Sequence, residues 1–249
     1  MTFSATVEQS TLRDAIDAAN AIVEECKLNT TPDGLSITAV GAANVAMVDL
    51  SIDESAFEAY DADGGTLGVN LDRLLDVVGM GDSGDLVALE LNAETRKLEI
   101  GIGGLSYTLA LIDPDSIRQE PEIPELELDA TLVFEASTLS RGITAADLCS
   151  DHVELSADPD AEAFHIAADG DTDDVDLEVG SDELLSAQVS DDCGSLFSLD
   201  YLKDMERPIG SDTEVSLRLG SEMPIKLRYS LADGDVSVTN MLAPRIQSE

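Results

Sequence analysis

The thiol and imidazole that lie closest together in this 249-residue chain are Cys149 and His152, in the run Cys149-Ser150-Asp151-His152. A thiol beside an imidazole is the pairing of a nucleophile with its base. Here the run falls at the predicted end of a helix, and neither His152 nor His165 has a recognisable nucleophile or ligand partner. Asp169, Asp171 and Asp173 imitate the opening of a calcium loop. Such a loop needs glycine at its sixth position and glutamate at its twelfth, where this chain has Asp174 and Gly180, so solvated loop acids are the expectation. Gly101-Ile102-Gly103-Gly104 lacks G-x-G-x-x-G spacing and a following helix, and no G-x-x-x-x-G-K-[ST] occurs. Cys26, Cys149 and Cys193 are an odd number without C-x-x-C spacing, which suggests neither a disulfide framework nor a zinc site. These residues therefore indicate no catalytic pair, no cofactor site and no metal site.

The cations are more informative because they are scarce. Asp and Glu number 52 against 13 Lys and Arg, a net charge of −39. The acids are spread along the whole chain, and with 43% hydrophobic residues the composition is that of a folded protein, not an acidic tail. Four lysines (Lys27, Lys97, Lys203, Lys226), no tryptophan and a dispersed acidic surface point to work in molar salt, where repulsion is screened over roughly 3 Å. The reading is the cytoplasm of an extreme halophile; the alternative is an acidic mesophilic protein. The N-terminus lacks the regions of a signal peptide, and no run of about 18 apolar residues exists, so a soluble intracellular protein is expected.

Each predicted helix carries a cation: Arg13, Arg73, Arg141 and Lys203, with Arg207 just after the last. They form either a weak basic track toward a polyanion or scattered surface cations paired with nearby acids such as Asp17. The elements that position them are read from periodicity. Thr2 to Val7 is a strand, and Ser10 looks like the N-cap of a helix with Leu12, Ile16, Ala19 and Val23 on one face. Leu35 to Ala39, Val45 to Ile52 and Thr66 to Val69 alternate as strands, and a short helix opens at Asn70 or Leu71 and reaches Val78. Strands Leu86 to Leu91, Lys97 to Ile102 and Leu105 to Ile112 follow. After a proline-bearing linker, Asp113 to Leu126, the order recurs. It runs through strand Ala130 to Glu135, helix Thr138 to Cys149, strands Val153 to Leu155, Phe164 to Ala168, Val175 to Val179 and Ser186 to Val189, helix Leu199 to Met205, and strands Glu214 to Leu219, Ile225 to Leu231 and Val236 to Thr239.

The recurrence is visible in the residues themselves. Glu8-Gln9-Ser10-Thr11-Leu12 returns as Glu135-Ala136-Ser137-Thr138-Leu139, and Leu71-Asp72-Arg73-Leu74-Leu75-Asp76 returns as Leu199-Asp200-Tyr201-Leu202-Lys203-Asp204. Two matches at nearly one offset imply two halves of one fold. The repeat, the helices and the linker together resemble the proliferating cell nuclear antigen (PCNA) family of sliding clamps. The most specific pieces are Gly68-Val69-Asn70-Leu71, Leu111-Ile112-Asp113, Ile123-Pro124-Glu125 and the ending Leu242-Ala243-Pro244-Arg245-Ile246, and the likeness covers essentially the whole chain. The resemblance implies an α+β DNA clamp fold with an N-terminal domain over 1–112, a connector over 113–126 and a C-terminal domain over 127–249. It further implies a homotrimeric, pseudo-sixfold ring that encircles double-stranded DNA without sequence preference and tethers DNA polymerase, clamp loader, flap endonuclease, DNA ligase and mismatch-repair proteins through short hydrophobic motifs.

By position, the resemblance places Arg13, Asn20, Arg73, Arg141, Lys203 and Arg207 toward DNA, although Asp14, Asp76 and Thr144 stand where relatives often carry cations. It places a partner groove at Val40, Val45, Met47, Leu50, Ile123, Pro224, Met241, Ala243 and Pro244, with strand-core packing as the other reading of Val45, Met47 and Leu50. Subunit contacts are expected from edge strands through Tyr107, Leu109, Val175 and Leu177. The rival functions are a clamp-like subunit of a heterotrimeric checkpoint or repair ring, and an unrelated acidic enzyme or calcium-binding protein.

Overall fold

The computed structural model describes residues 2–161 and 163–245; Ile246 of the tail motif and the rest of the expected C-terminal domain's end lie outside the described residues. Two compact units divide the chain. One comprises Met1–Ala42, Val48–Glu122 and Ser230–Val238, the other Ala43–Met47, Ile123–Tyr229 and Thr239–Glu249.

The first unit begins with β1 (Phe3–Glu8) and α1 (Gln9–Asn20), followed by β2 (Glu25–Thr31), β3 (Gly34–Val40), β4 (Ala46–Asp53), β5 (Phe57–Ala62) and β6 (Gly65–Asn70). It continues with α2 (Leu71–Val78), β7 (Leu86–Asn92), β8 (Lys97–Ile102) and β9 (Leu105–Ala110). The second begins with β10 (Ala130–Glu135) and α3 (Ala136–Ala146), followed by β11 (His152–Asp158), β12 (Ala163–Asp169), β13 (Asp174–Val179), β14 (Ser186–Val189) and β15 (Cys193–Ser198). It continues with α4 (Leu199–Glu206), β16 (Glu214–Leu219), β17 (Ile225–Leu231) and β18 (Val236–Leu242), except that Ser230–Leu231 of β17 and Val236–Val238 of β18 belong to the first unit and Ala46–Met47 of β4 to the second.

Pairing order makes the repeat explicit. Strands run β5-β1-β7-β8-β9 and β4-β3-β2-β6 in the first series, and β14-β10-β16-β17-β18 and β13-β12-β11-β15 in the second. Each position in one order has its counterpart at the same place in the other. Period-two burial explains the strands: Phe3, Ala5 and Val7 of β1 and Ala130, Leu132 and Phe134 of β10 point into their cores. The helices bury one face each, Leu12, Ala15, Ile16 and Ala19 in α1 and Leu139, Gly142, Ile143 and Ala146 in α3. Within the second core the rings of Phe134 and Phe164 stack at 5.4 Å.

The expected N-cap at Ser10 is corrected by the structure. The N-cap of α1 is Glu8, whose side chain makes no capping bond, and Ser10 Oγ instead donates to Glu8 Oε1 at 2.9 Å. The physical reason is a tertiary cap. The first amide of α1, Gln9 N–H, donates to Asp85 O at 2.8 Å, and that of α3, Ala136 N–H, to Thr213 O at 2.9 Å. Likewise Leu71 N–H at the start of α2 donates to Glu24 O at 2.8 Å, and Leu199 N–H of α4 to Asp151 O at 3.0 Å. Backbone carbonyls from neighbouring loops thus satisfy helix amides that a side chain would otherwise cap, and the same solution appears in both units.

Only α2 among these helices adds a side-chain cap, Asn70 Oδ1 accepting from Arg73 N–H at 2.9 Å. Asn70→Ala is expected to cost about 1 kcal/mol, read as a lower denaturant midpoint in molar salt at unchanged slope. An unchanged midpoint would show that the Glu24 carbonyl alone suffices.

Three strands were not anticipated. β2 (ECKLNTT), β5 (FEAYDA) and β15 (CGSLFS) make five strands, not three or four, between the paired helices of each series. The helices also end earlier than expected, α1 at Asn20 rather than near Val23 and α3 at Ala146 rather than Cys149.

Candidate functional site

The cations assigned toward DNA are divided between the units. In the first, Arg13 and Arg73 are exposed on α1 and α2, and Asn20 Nδ2 donates to Asp72 Oδ1 at 3.1 Å. Asp14 is itself exposed, yet partial desolvation by its neighbours raises its carboxyl above the ordinary range, against the lowering effect of Arg13 and with a smaller push from Asp17. In the second unit each cation faces an acid: Arg141 meets Glu183 at 2.9 Å, Lys203 meets Asp147 at 2.8 Å and Arg207 lies 3.7 Å from Asp204. The hydrogen bond to Asp147 raises the Lys203 ammonium above its ordinary value. Exposed pairs of this kind are weak because water screens them and both side chains lose freedom, so a phosphate can displace their carboxylates at little cost. Ser137, Ser140, Thr144 and Leu148 line an open depression beside Arg141 with a volume near 670 Å³. Leu148, 83% exposed, was not singled out from sequence.

The residues assigned to the partner groove fall into different classes. In the second unit Val45, Met47, Pro224, Ala243 and Pro244 are half-buried, Met241 is buried and Ile123 is 39% exposed. Ala243 N–H donates to Val45 O at 2.8 Å, which holds the tail beside the 43–47 segment. Arg245 N–H then donates to Leu196 O at 2.7 Å, so the tail goes on to the edge of β15. In the first unit Val40 is half-buried, but Leu50 is 1% exposed. Its side chain belongs to the core and offers no surface, because it shares the β4 face of Val48 and Ile52.

Both strands assigned to subunit contact lie at sheet edges, β9 in one series and β13 in the other. Tyr107, Val175 and Leu177 are half-buried. Leu109 is 4% exposed and pairs across from Leu98, so its side chain too is core, and only its backbone is placed at an edge. β13 also carries Asp174, Asp176 and Glu178 on its exposed face.

The Cys149 thiol, half-buried, lies 3.5 Å from Ala146 O and 3.6 Å from Ala168 O, contacts that orient it toward carbonyls rather than toward His152. Among the described residues no group of three or more His, Cys, Asp or Glu is arranged to hold a metal ion, and no helix is long and apolar enough to cross a membrane. Burial, with a contribution from Glu120, pushes the Cys26 thiol up to about 12, and burial, with Asp129, pushes Cys193 up to about 11. Since the thiolate is the reactive form, both are expected to resist iodoacetamide in the folded protein near pH 8. Mass spectrometry before and after unfolding tests this, and rapid native labelling of either would contradict it.

Comparison with known proteins fits these observations. The family model described as Proliferating cell nuclear antigen, N-terminal domain, matches residues 2–102. The chain is 55% identical over 247 residues to a DNA polymerase sliding clamp of Natronomonas pharaonis, covering 99% of this chain and all of that one. It is 54% identical to a DNA polymerase sliding clamp of Haloarcula marismortui with the same coverage. The chain belongs to the PCNA family. Its structure matches A. fulgidus PCNA, solved with the C-terminal region of FEN-1 bound, at a TM-score of 0.93 and 37% identity over 99% of this chain and all of that one. The PCNA of Thermococcus kodakaraensis follows at 0.90 and 26% identity, over 98% of this chain and all of that one. The twice-repeated α+β topology described above is thus the clamp fold of the PCNA family.

Proposed function

We propose that this PCNA-family chain is a non-catalytic cytoplasmic sliding clamp that closes as a homotrimer around duplex DNA and tethers DNA polymerase, flap endonuclease, DNA ligase and the clamp loader. The observation that carries the reading is the full-length identity of 54–55% to haloarchaeal DNA polymerase sliding clamps. The FEN-1 segment bound to A. fulgidus PCNA supports partner tethering. In this reading Arg13, Asn20, Arg73, Arg141, Lys203 and Arg207 face the duplex, and the edges of β9 and β13 pair between neighbouring copies.

The charge fits the mechanism. Counterion release contributes little in molar salt, so a protein of −39 gains retention on DNA from topology rather than from attraction. Ion pairs such as Arg141 with Glu183 lower the positive field further and leave a surface suited to sliding. The groove residues Val45, Met47, Ile123, Pro224, Ala243 and Pro244 would accept a short turn with apolar anchors, Met47 adapting to several partners.

Light scattering in about 2 M KCl, where screening is strong, tests closure. The expected mass is three times the 26.3 kDa of one chain. Retention on nicked circular DNA, with loss after linearisation, tests encirclement. A monomer at every concentration removes the mechanism, and trimerisation only with a second gene product favours a heterotrimeric ring.

A further inference from the structure

We propose that Lys226 and Arg118 are positioning residues for partner binding, which fix the connector so that Ile123 is presented in one place. The proposal rests on the partner-binding reading above. Residues 118–128 contain neither helix nor strand, so their backbone needs partners from elsewhere to keep one path. In the first unit Arg118 Nη1 donates to Gly41 O at 2.9 Å and lies 3.4 Å from Ala42 O. In the second, Lys226 Nζ donates to Pro124 O at 2.9 Å. Pro124 directly follows Ile123, which is 39% exposed. The ammonium therefore holds the backbone one residue from the apolar side chain that a partner would meet.

Two features indicate that this use of cations is specific. The chain has 13 Lys and Arg for 52 Asp and Glu, and carboxylates such as Glu122 and Glu125 flank the very residues being held. Both cations nevertheless reach main-chain carbonyls, Gly41 O and Pro124 O, in charge-assisted hydrogen bonds. Lys226 also stands directly across from Arg218 on β16, and like charges opposite each other in a sheet are destabilising. A lysine kept beside an arginine, on a strand where a neutral residue would pair better, is explained by its bond to Pro124. A prefixed connector removes ordering entropy from the binding step, so the effect is on affinity and not on assembly.

The test uses the whole protein in about 2 M KCl and, as probe, a labelled synthetic peptide of the A. fulgidus FEN-1 C-terminal region, followed by anisotropy. Lys226→Met keeps the aliphatic stem and removes the donor. It is expected to weaken binding about tenfold, the scale of one charge-assisted hydrogen bond, with unchanged mass by light scattering and a melting temperature no lower than that of the wild type. Hydrogen exchange over residues 118–128 should rise in the same variant. Lys226→Arg, which keeps a donor, is expected to restore affinity, and Arg118→Met to act in the same direction as Lys226→Met. Wild-type binding with unchanged affinity in Lys226→Met overturns the positioning role. Absence of wild-type binding instead overturns the partner-binding reading on which it rests, so the two failures are distinct.

Discussion

Transfer from about 2 M to 0.1 M KCl is expected to dissociate the proposed trimer and then unfold the chain, because the screening length grows from a few ångströms to about 10 Å. Two carboxylates about 7 Å apart in water repel by roughly 0.6 kcal/mol before screening. About half of that survives at 0.1 M and about a tenth at 1 M. With 52 acids against 13 cations such pairs recur over the surface, and their sum reaches several kcal/mol. That is comparable with the whole net stability of a domain, about 5–15 kcal/mol. Edge pairing should fail first, since β13 brings Asp174, Asp176 and Glu178 to the proposed contact and association has less burial to oppose the repulsion.

Acid should partly reverse the loss. The Asp14 carboxyl, exposed but raised chiefly by partial desolvation, binds its proton more tightly in the folded than in the unfolded chain. Protonation therefore favours the fold as pH drops through that raised value, and the penalty is fully present only above it. Light scattering and circular dichroism over a KCl series check the sequence of events. A constant mass and spectrum down to 0.1 M KCl would show that the acidic surface is not what ties this protein to salt.

What the sequence made legible depended on how much of the signal is local. β8, β10, β16 and β17 occupy the ranges read from alternation, because each is a run of residues facing one core at every second position; β14 also occupies its expected range, although none of its residues is buried. β2 escaped because in ECKLNTT the buried positions are Cys26, Leu28 and Thr30, with one large apolar side chain among them. β15 escaped because Ser195 and Cys193 share its buried face with Phe197. Ser10 was misread for a different reason: its helix is capped by Asp85 O, from a residue distant in sequence. The site shows the same division. The helix cations were visible as residues, but Glu183 and Asp147, which pair with Arg141 and Lys203, are fixed only by tertiary structure. The burial of Leu50 follows from the period of its own strand, which groups it with Val48 and Ile52 and apart from Met47.

Gly68→Ala is expected to be among the most damaging single-methyl changes in the first unit, costing about 2–4 kcal/mol by overpacking against backbone. Gly68 opens one family motif and Ile112 lies within another, and the structure shows why both occur. Ile112 N–H donates to Gly68 O at 2.8 Å, and the two residues form an isolated antiparallel bridge. A Cβ on Gly68 would fall deep inside contact distance of Ile112 O and 2.9 Å from Ile117 Cδ1. A flexible side chain could turn away, but a carbonyl held by its own peptide plane can move only with its chain. The methyl must therefore separate the strand from residues 111–113 or shift β6 away from β2, with which Gly68 pairs through Lys27. Either movement loosens the start of the connector, next to the buried Ile117. Denaturation in molar KCl should show a lowered midpoint, and hydrogen exchange should localise the loosening to residues 111–118. The companion variant Gly104→Ala separates this effect from backbone strain. Gly104 has φ of +86° and no atom within 4 Å of its would-be Cβ, so it tests the conformational cost without the clash, expected at about 1 kcal/mol. Equal losses for the two variants would mean that the approach of Ile112 to Gly68 is not the reason for glycine there.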